Sequence, residues 1–137
     1  ISDEIANVPE TYQLDYLSVS SGTRTVPTAT VRLKKGDDIA EDAACGDGPV
    51  DAACKTIDRI TGIKGKLSNF SLRAVTSGKD AIGEVFVRVD AEGLTVSGRG
   101  ASTDIIEASA KAYLNAINHL LYLKGRKTAK KPSSMCE

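Results

Sequence analysis

The side chains able to do chemistry are few and scattered. His119 is the only histidine of the chain. It stands among Asn118, Leu120 and Leu121 near the end of a helical run, with no cysteine at ligand spacing around it. A zinc site or a histidine-based triad needs partners that the sequence does not offer, so His119 reads as a helix-surface residue. Asp37, Asp38, Glu41 and Asp42 crowd one turn, which reads as a solvated hairpin end rather than an acid–base pair. Cys45, Cys54 and Cys136 are odd in number and fit no zinc or thioredoxin spacing. They read as reduced thiols of a structural or incidental kind. The expectation is a chain with no catalytic residues and no metal ligands.

Two G-x-G motifs remain, Gly46-Asp47-Gly48 and Gly98-Arg99-Gly100. Neither has the third glycine of a dinucleotide fingerprint, and neither is followed by Gly-Lys-Ser or Gly-Lys-Thr, so nucleotide binding is unsupported. Two readings stand side by side. In one, the glycines permit a tight strand-to-helix turn. In the other, the missing side chains let a ligand reach backbone N–H groups at a helix N-terminus, where a carboxylate is favoured. A free amino acid supplies such a carboxylate.

The elements that position these motifs follow from composition and periodicity. A chain of 137 residues with 41% hydrophobic residues can bury one core without metals or disulfides. Lys and Arg number 18, as do Asp and Glu, so no global field exists to collect nucleic acid or an anionic membrane. No apolar run is long enough to span a bilayer and no signal peptide opens the chain, which points to the cytoplasm. Residues 1–11 are expected to be a linker from a missing upstream domain. The basic cluster Lys124, Arg126, Lys127, Lys130 and Lys131 reads as a flexible tail over 125–137.

Between these ends the chain repeats itself, in halves of about 12–62 and 66–124. Leu14 to Gly22 resembles Phe70 to Gly78 as alternating strands, and the same offset sets Val31-Arg32-Leu33 on Val87-Arg88-Val89. A hairpin turn and a short strand follow in each half, Ile39 to Cys45 and Leu94 to Ser97. Each G-x-G is then expected to open a helix. In the first, Pro49 suits the opening position, Val50, Ala53, Cys54, Ile57 and Ile60 recur at helical spacing, and Gly62 supplies a stop. In the second, Ser102 or Thr103 is the expected cap, and Lys124 and Gly125 the expected close. Ile106, Ala110, Tyr113, Ile117 and Leu120 form its apolar stripe, with Ala108, Ala112 and Ala116 beside them for close packing. The fold class is therefore α/β, of the α+β type: two pseudo-twofold-related βββα units with helices packed on three-stranded sheets. Internal symmetry of this kind makes a homodimer the expected oligomer.

The residues Gly46-Asp-Gly-Pro-Val-Asp-Ala52, Ser77-Gly-Lys-Asp-Ala81, Gly98-Arg-Gly100 and Thr103-Asp-Ile-Ile-Glu-Ala-Ser-Ala-Lys-Ala-Tyr113 resemble the C-terminal regulatory domain of the 2-isopropylmalate synthase family. The likeness runs from about Tyr12 to Leu123, and citramalate synthases carry a similar domain. What the resemblance implies is an allosteric domain that binds leucine between two copies and inhibits a distant acyltransferase barrel. That barrel joins acetyl-CoA to 3-methyl-2-oxobutanoate with a divalent metal that this fragment does not hold. By motif position, the effector pocket would include Gly46, Gly48, Val50 and Asp51 at the first helix start, Leu67, Phe70 and Ala74 on the next strand, and Ala81 and Gly83 beyond the turn. Small residues at 74, 81 and 83 favour leucine over isoleucine. The alternatives are an isoleucine-sensing domain of a citramalate synthase and a purely structural dimerisation module.

Overall fold

The computed structural model describes residues 11–20, 26–77 and 80–129, with the side chains of 75–77, 80, 81 and 125–129 outside the description. The first half places β1 (Gln13–Ser20), β2 (Thr28–Lys35), β3 (Asp38–Cys45) and α1 (Pro49–Thr61) in order. The second places β4 (Lys66–Ser77), β5 (Asp80–Ala91), β6 (Leu94–Ser102) and α2 (Ile105–Ala129). Each half is one antiparallel sheet, β1-β2-β3 and β4-β5-β6, with its own helix. The expected pair of βββα units is therefore the observed fold.

Alternation decides which face of each sheet is buried. In β2, Ala29, Val31 and Leu33 are fully buried, and in β5 so are Val85 and Val89 with Val87 nearly so. These residues share one face of their strands, and burial of a valine or leucine there contributes about 2 kcal/mol. On α1, Ala53 and Ile57 are buried as the helical spacing expects, and Thr56 ties the helix to β2 by donating to the Ala29 carbonyl at 3.1 Å. Gly62 ends the helix at φ 76°, a left-handed conformation, with its N–H on the Asp58 carbonyl at 2.8 Å. Of the two expected stripes of α2, Ala108, Ala112 and Ala116 are buried, as are Ala110, Tyr113, Ile117 and Leu120, while Ile106 at the start of the second stripe is only half-buried.

Four details differ from the sequence reading. The strand expected to stop at Ser97 runs on to Ser102, and carries Gly98 and Gly100 opposite Val87 and Val85. The second G-x-G therefore lies within a strand and does not open a helix. The cause is packing: a Cβ at Gly98 would overlap the Ala112 carbonyl, and one at Gly100 the Ala108 carbonyl, so these glycines let α2 lie directly on the sheet. The cap of α2 is Asp104, whose Oδ1 accepts the Ile106 N–H at 2.9 Å, rather than Ser102 or Thr103. Lys124 and Gly125 do not close the helix, which continues to Ala129. Finally, Leu17 pairs with Val31 as Phe70 pairs with Val87. Leu17, not Leu14, is thus the counterpart of Phe70. Each first strand carries a register shift, between Leu14 and Tyr16 and between Leu67 and Asn69, and these match under the corrected alignment. Gly22 and Gly78, on which the original alignment rested, lie outside the described residues.

Candidate functional site

The mouth of α1 is formed by the chain leaving β3. Gly46 donates its N–H to the Pro27 carbonyl at 3.0 Å and lies against the first helical turn, where a Cβ would stand 2.5 Å from the Ala52 nitrogen. Its glycine is explained by the chain's own packing. Gly48 differs. It is the N-cap, its backbone is extended at φ −159°, no side-chain cap bond is made, and a Cβ there would meet nothing within 4 Å. Neither strain nor crowding within the chain calls for glycine at this position. Val50, half-buried, sits in the first turn. The Asp51 carboxylate accepts the Asp47 N–H at 2.9 Å and pairs with Lys55 at 3.2 Å. The Asp47 N–H holds that carboxyl below the usual range for aspartate against the opposing effect of burial, with Lys55 adding to the lowering.

The other named residues lie on the second sheet. Leu67, Phe70 and Ala74 of β4 stand opposite Val89, Val87 and Gly83 of β5, and so on the face that α2 packs. The helix crosses β6 and β5 and leaves β4 largely uncovered. Leu67, Phe70 and Leu72 are accordingly 38%, 40% and 53% exposed, a row of large apolar side chains at the edge of the core layer. Leu72 was not among the residues picked from sequence, although its alternation with Phe70 and Ala74 marks it for the same face. Gly83 is buried, and a Cβ there would overlap the Ile105 Cδ1 at the start of α2. Ala81 pairs with Thr76 in the backbone ladder, and its side chain lies outside those described. The structure thus forms two groups, a helix mouth in the first half and an apolar row in the second, and no described contact within the chain joins them.

Residues weighed for chemistry stay apart. Cys45 is exposed and Cys54 half-buried, its thiol pushed up to about 12 by burial, then by the charges of Asp58 and Asp51. Such a thiol is unreactive near neutrality. Cys136 is outside the described residues. His119 is half-buried, and its Nδ1, shut away from solvent, has no hydrogen-bond partner among the described residues. Among the described residues, no group of three His, Cys, Asp or Glu side chains could hold a metal ion, and no helix is long and apolar enough to cross a membrane. Asp42 takes Arg59 at 3.0 Å and Glu41 takes Arg32 at 3.0 Å, so half of the acidic turn cluster is spent in ion pairs.

A doubled βββα unit with one uncapped helix mouth and one bare apolar strand has the build of a binding and association domain. A family model described as the LeuA allosteric (dimerisation) domain matches residues 1–121, and the chain belongs to that family. Its relatives include the 2-isopropylmalate synthases of Carboxydothermus hydrogenoformans, 57% identical over 123 residues, Pelotomaculum thermopropionicum, 55% over 123, and Heliobacterium modesticaldum, 52% over 122. Each match covers 89% of this chain and 24% of the relative. The chain spans about a quarter of the length of the curated relatives it matches.

Proposed function

We propose that this chain is the regulatory domain of a 2-isopropylmalate synthase, that two copies associate, and that leucine bound where they meet inhibits the enzyme. The observation that carries this reading is the bare row Leu67, Phe70 and Leu72, core-facing in direction yet uncovered by the chain's own helices. A second copy that brings its α1 mouth to this row would complete a recess from both groups of residues.

The chemistry of the two parts suits a free branched-chain amino acid. The first-turn N–H groups of α1 have no intrahelical acceptor and favour a carboxylate, and the open space at Gly48 leaves room for one. The nearby Asp47 and Asp51 carboxylates favour the ammonium group. Leu67, Phe70 and Val50 would enclose the side chain, with the small residues Ala74 and Ala81 leaving it space, while the room at Gly83 is taken by Ile105 of the same chain. In the parent enzyme a divalent metal would serve the acyl transfer in the catalytic part, and the effector would act through a coupling of about 1 to 3 kcal/mol.

Calorimetry with leucine, isoleucine and valine, run beside light scattering, tests the reading. Expected is a dimer that binds leucine more tightly than isoleucine. A dimer that gives no heat with any of the three at millimolar concentration defeats the effector site and leaves a dimerisation module, and tighter isoleucine binding points to citramalate synthase.

A further inference from the structure

Each sheet turns one face away from its helix, and the two outer faces, unlike the two cores, do not match. Arg32 of β2 and Arg88 of β5 are equivalent, each one residue beyond the matched pair Val31 and Val87 and each on the outer face. Arg32 is surrounded by partners: it pairs with Glu41 at 3.0 Å and Asp15 at 3.6 Å, and lies over the Tyr16 ring at 5.1 Å. Tyr16 and Glu41 stand opposite it in the ladder, and Asp15 is the residue at the register shift. Around Arg88 the same three places hold Asn69, Ser97 and Ser68. Each charged or aromatic partner has become an uncharged polar one, and the Arg88 guanidinium has no hydrogen bond or ion pair among the described residues. The next row changes the other way. Phe86, 36% exposed, stands where the first sheet has Thr30, and Arg99, opposite Phe86, stands where it has Ala43. Arg99 reaches Glu84 only at 4.0 Å, and that carboxylate is held by Arg73 at 2.9 Å. Asp90, the other acid in the outer row of β5, accepts the Thr95 hydroxyl at 2.8 Å. The outer face of the second sheet thus carries Lys66, Arg73, Arg88 and Arg99 against Glu84 and Asp90, where the first carries Arg32 and Lys34 against Asp15 and Glu41.

Phe86, Arg88 and Arg99 line a depression of about 290 Å³ on this face, with Asn69, Ser71 and Ser97 around them. We propose that this depression is a second binding site, one for a small organic anion with a flat apolar body, whose carboxylate or phosphate is taken by Arg88 and Arg99 while the flat body rests against Phe86. The sign of the occupant follows from charge: these two guanidinium groups lack the carboxylates that neutralise Arg32. A guanidinium presents a planar fork of donors that matches either head group, and an exposed aromatic ring offers a flat body contact area otherwise left to water. Asn69, Ser71 and Ser97 add hydrogen-bonding groups without cancelling the positive charge. The volume lies at the small end for ligand pockets, about 300 Å³, which suits one ring and its acidic group. The site is on the opposite face of the second sheet from Leu67, Phe70 and Leu72, and stands independently of the leucine reading.

Phenyl phosphate is the probe, with inorganic phosphate and phenol as its two halves, titrated into the intact chain and read by backbone-amide and arginine side-chain NMR shifts. Expected are saturable shifts centred on Phe86, Arg88 and Arg99, weakened by added salt, with phenyl phosphate bound at least about tenfold more tightly than inorganic phosphate. Ser97→Glu places opposite Arg88 the carboxylate that Arg32 has in Glu41, and should lower the affinity at least about tenfold with no loss of thermal stability. Arg88→Gln, at an exposed position, should do the same, and Arg32→Gln on the other sheet should change nothing. Equal shifts from phenyl phosphate and inorganic phosphate mean an adventitious ion only and overturn the site, as do shifts that persist in Ser97→Glu and Arg88→Gln. Absence of any shift at millimolar probe overturns it too. Shifts at these residues that appear on raising the protein concentration without probe give the face to a second copy instead.

Discussion

The two helix mouths come from one repeated unit and end in opposite states. At α2 the chain closes its own mouth: Asp104 caps the Ile106 N–H, Ser102 accepts the Asp104 N–H at 3.1 Å, and its hydroxyl donates to Glu107 at 3.0 Å. At α1 the cap is Gly48, with no side-chain bond and open space where a side chain would stand. The glycines have moved accordingly. In the second half they lie under α2 and serve packing. In the first, Gly46 serves packing and Gly48 does not. The first strands differ in the same sense, since Leu14, Leu17 and Val19 of β1 pack against the core while their counterparts Leu67, Phe70 and Leu72 of β4 stand exposed. Duplication supplied two equivalent places, and only the first helix mouth and the second half's first strand were left unfinished.

The sharpest break in this comparison is steric. Gly100→Val places a branched side chain into the Ala108 carbonyl and the Ala112 nitrogen of α2, backbone atoms that cannot step aside. It should cost about 3 kcal/mol or more in chemical denaturation. A variant that keeps wild-type stability would show that α2 does not lie on β6 as described. Next in size is Asn118→Ala. Asn118 is buried, accepts the Tyr12 N–H at 2.9 Å and donates to the Tyr12 carbonyl at 2.9 Å, so its loss leaves both backbone groups of the half-buried Tyr12 without this partner. About 2 kcal/mol is expected. This side chain of α2 fastens the entry to β1, whereas Asp58 of α1 accepts the Tyr113 hydroxyl of α2 at 2.6 Å and joins the two helices. Asp104→Ala should cost about 1 kcal/mol, the usual worth of a helix cap, with no effect on leucine binding because that mouth is already closed.

Much of the fold was legible because the repeat fixed it: alternation in β2 and β5, the Pro49 start and Gly62 stop of α1, and the alanine stripe of α2 all carry local signals. The errors share a physical origin. A glycine is silent about whether it serves a turn, a cap or a close approach, so Gly98 and Gly100 read like Gly46 and Gly48 until α2 is seen resting on them. The two hairpins differ in length, with seven residues between Ser20 and Thr28 where ten separate the equivalent Arg73 and Glu84, so a single offset carried through both strands matches the glycines rather than the buried rows. For the site, periodicity could show that Phe70 and Ala74 share a face, but not that α2 stops short of them. Asp58 and Tyr113 carry no motif at all, and only the crossing of the two helices brings them together.

Gly48→Ala is the smallest change in stability and the most informative about the difference between the mouths. The backbone there is extended, which alanine adopts freely, and the space is empty, so the fold loses only the modest preference of an N-cap for glycine over alanine, about 1 kcal/mol or less. The same methyl group stands where a ligand's carboxylate would approach the first-turn N–H groups. Leucine affinity measured by calorimetry should therefore fall at least about tenfold while the melting temperature barely moves, and Gly48→Val should extend the loss. Gly46→Ala reverses the pattern: its Cβ meets the Ala52 backbone, so stability falls first and binding fails with it. If Gly48→Ala leaves leucine binding intact, the open first mouth is vacant space and the asymmetry between the halves has another cause.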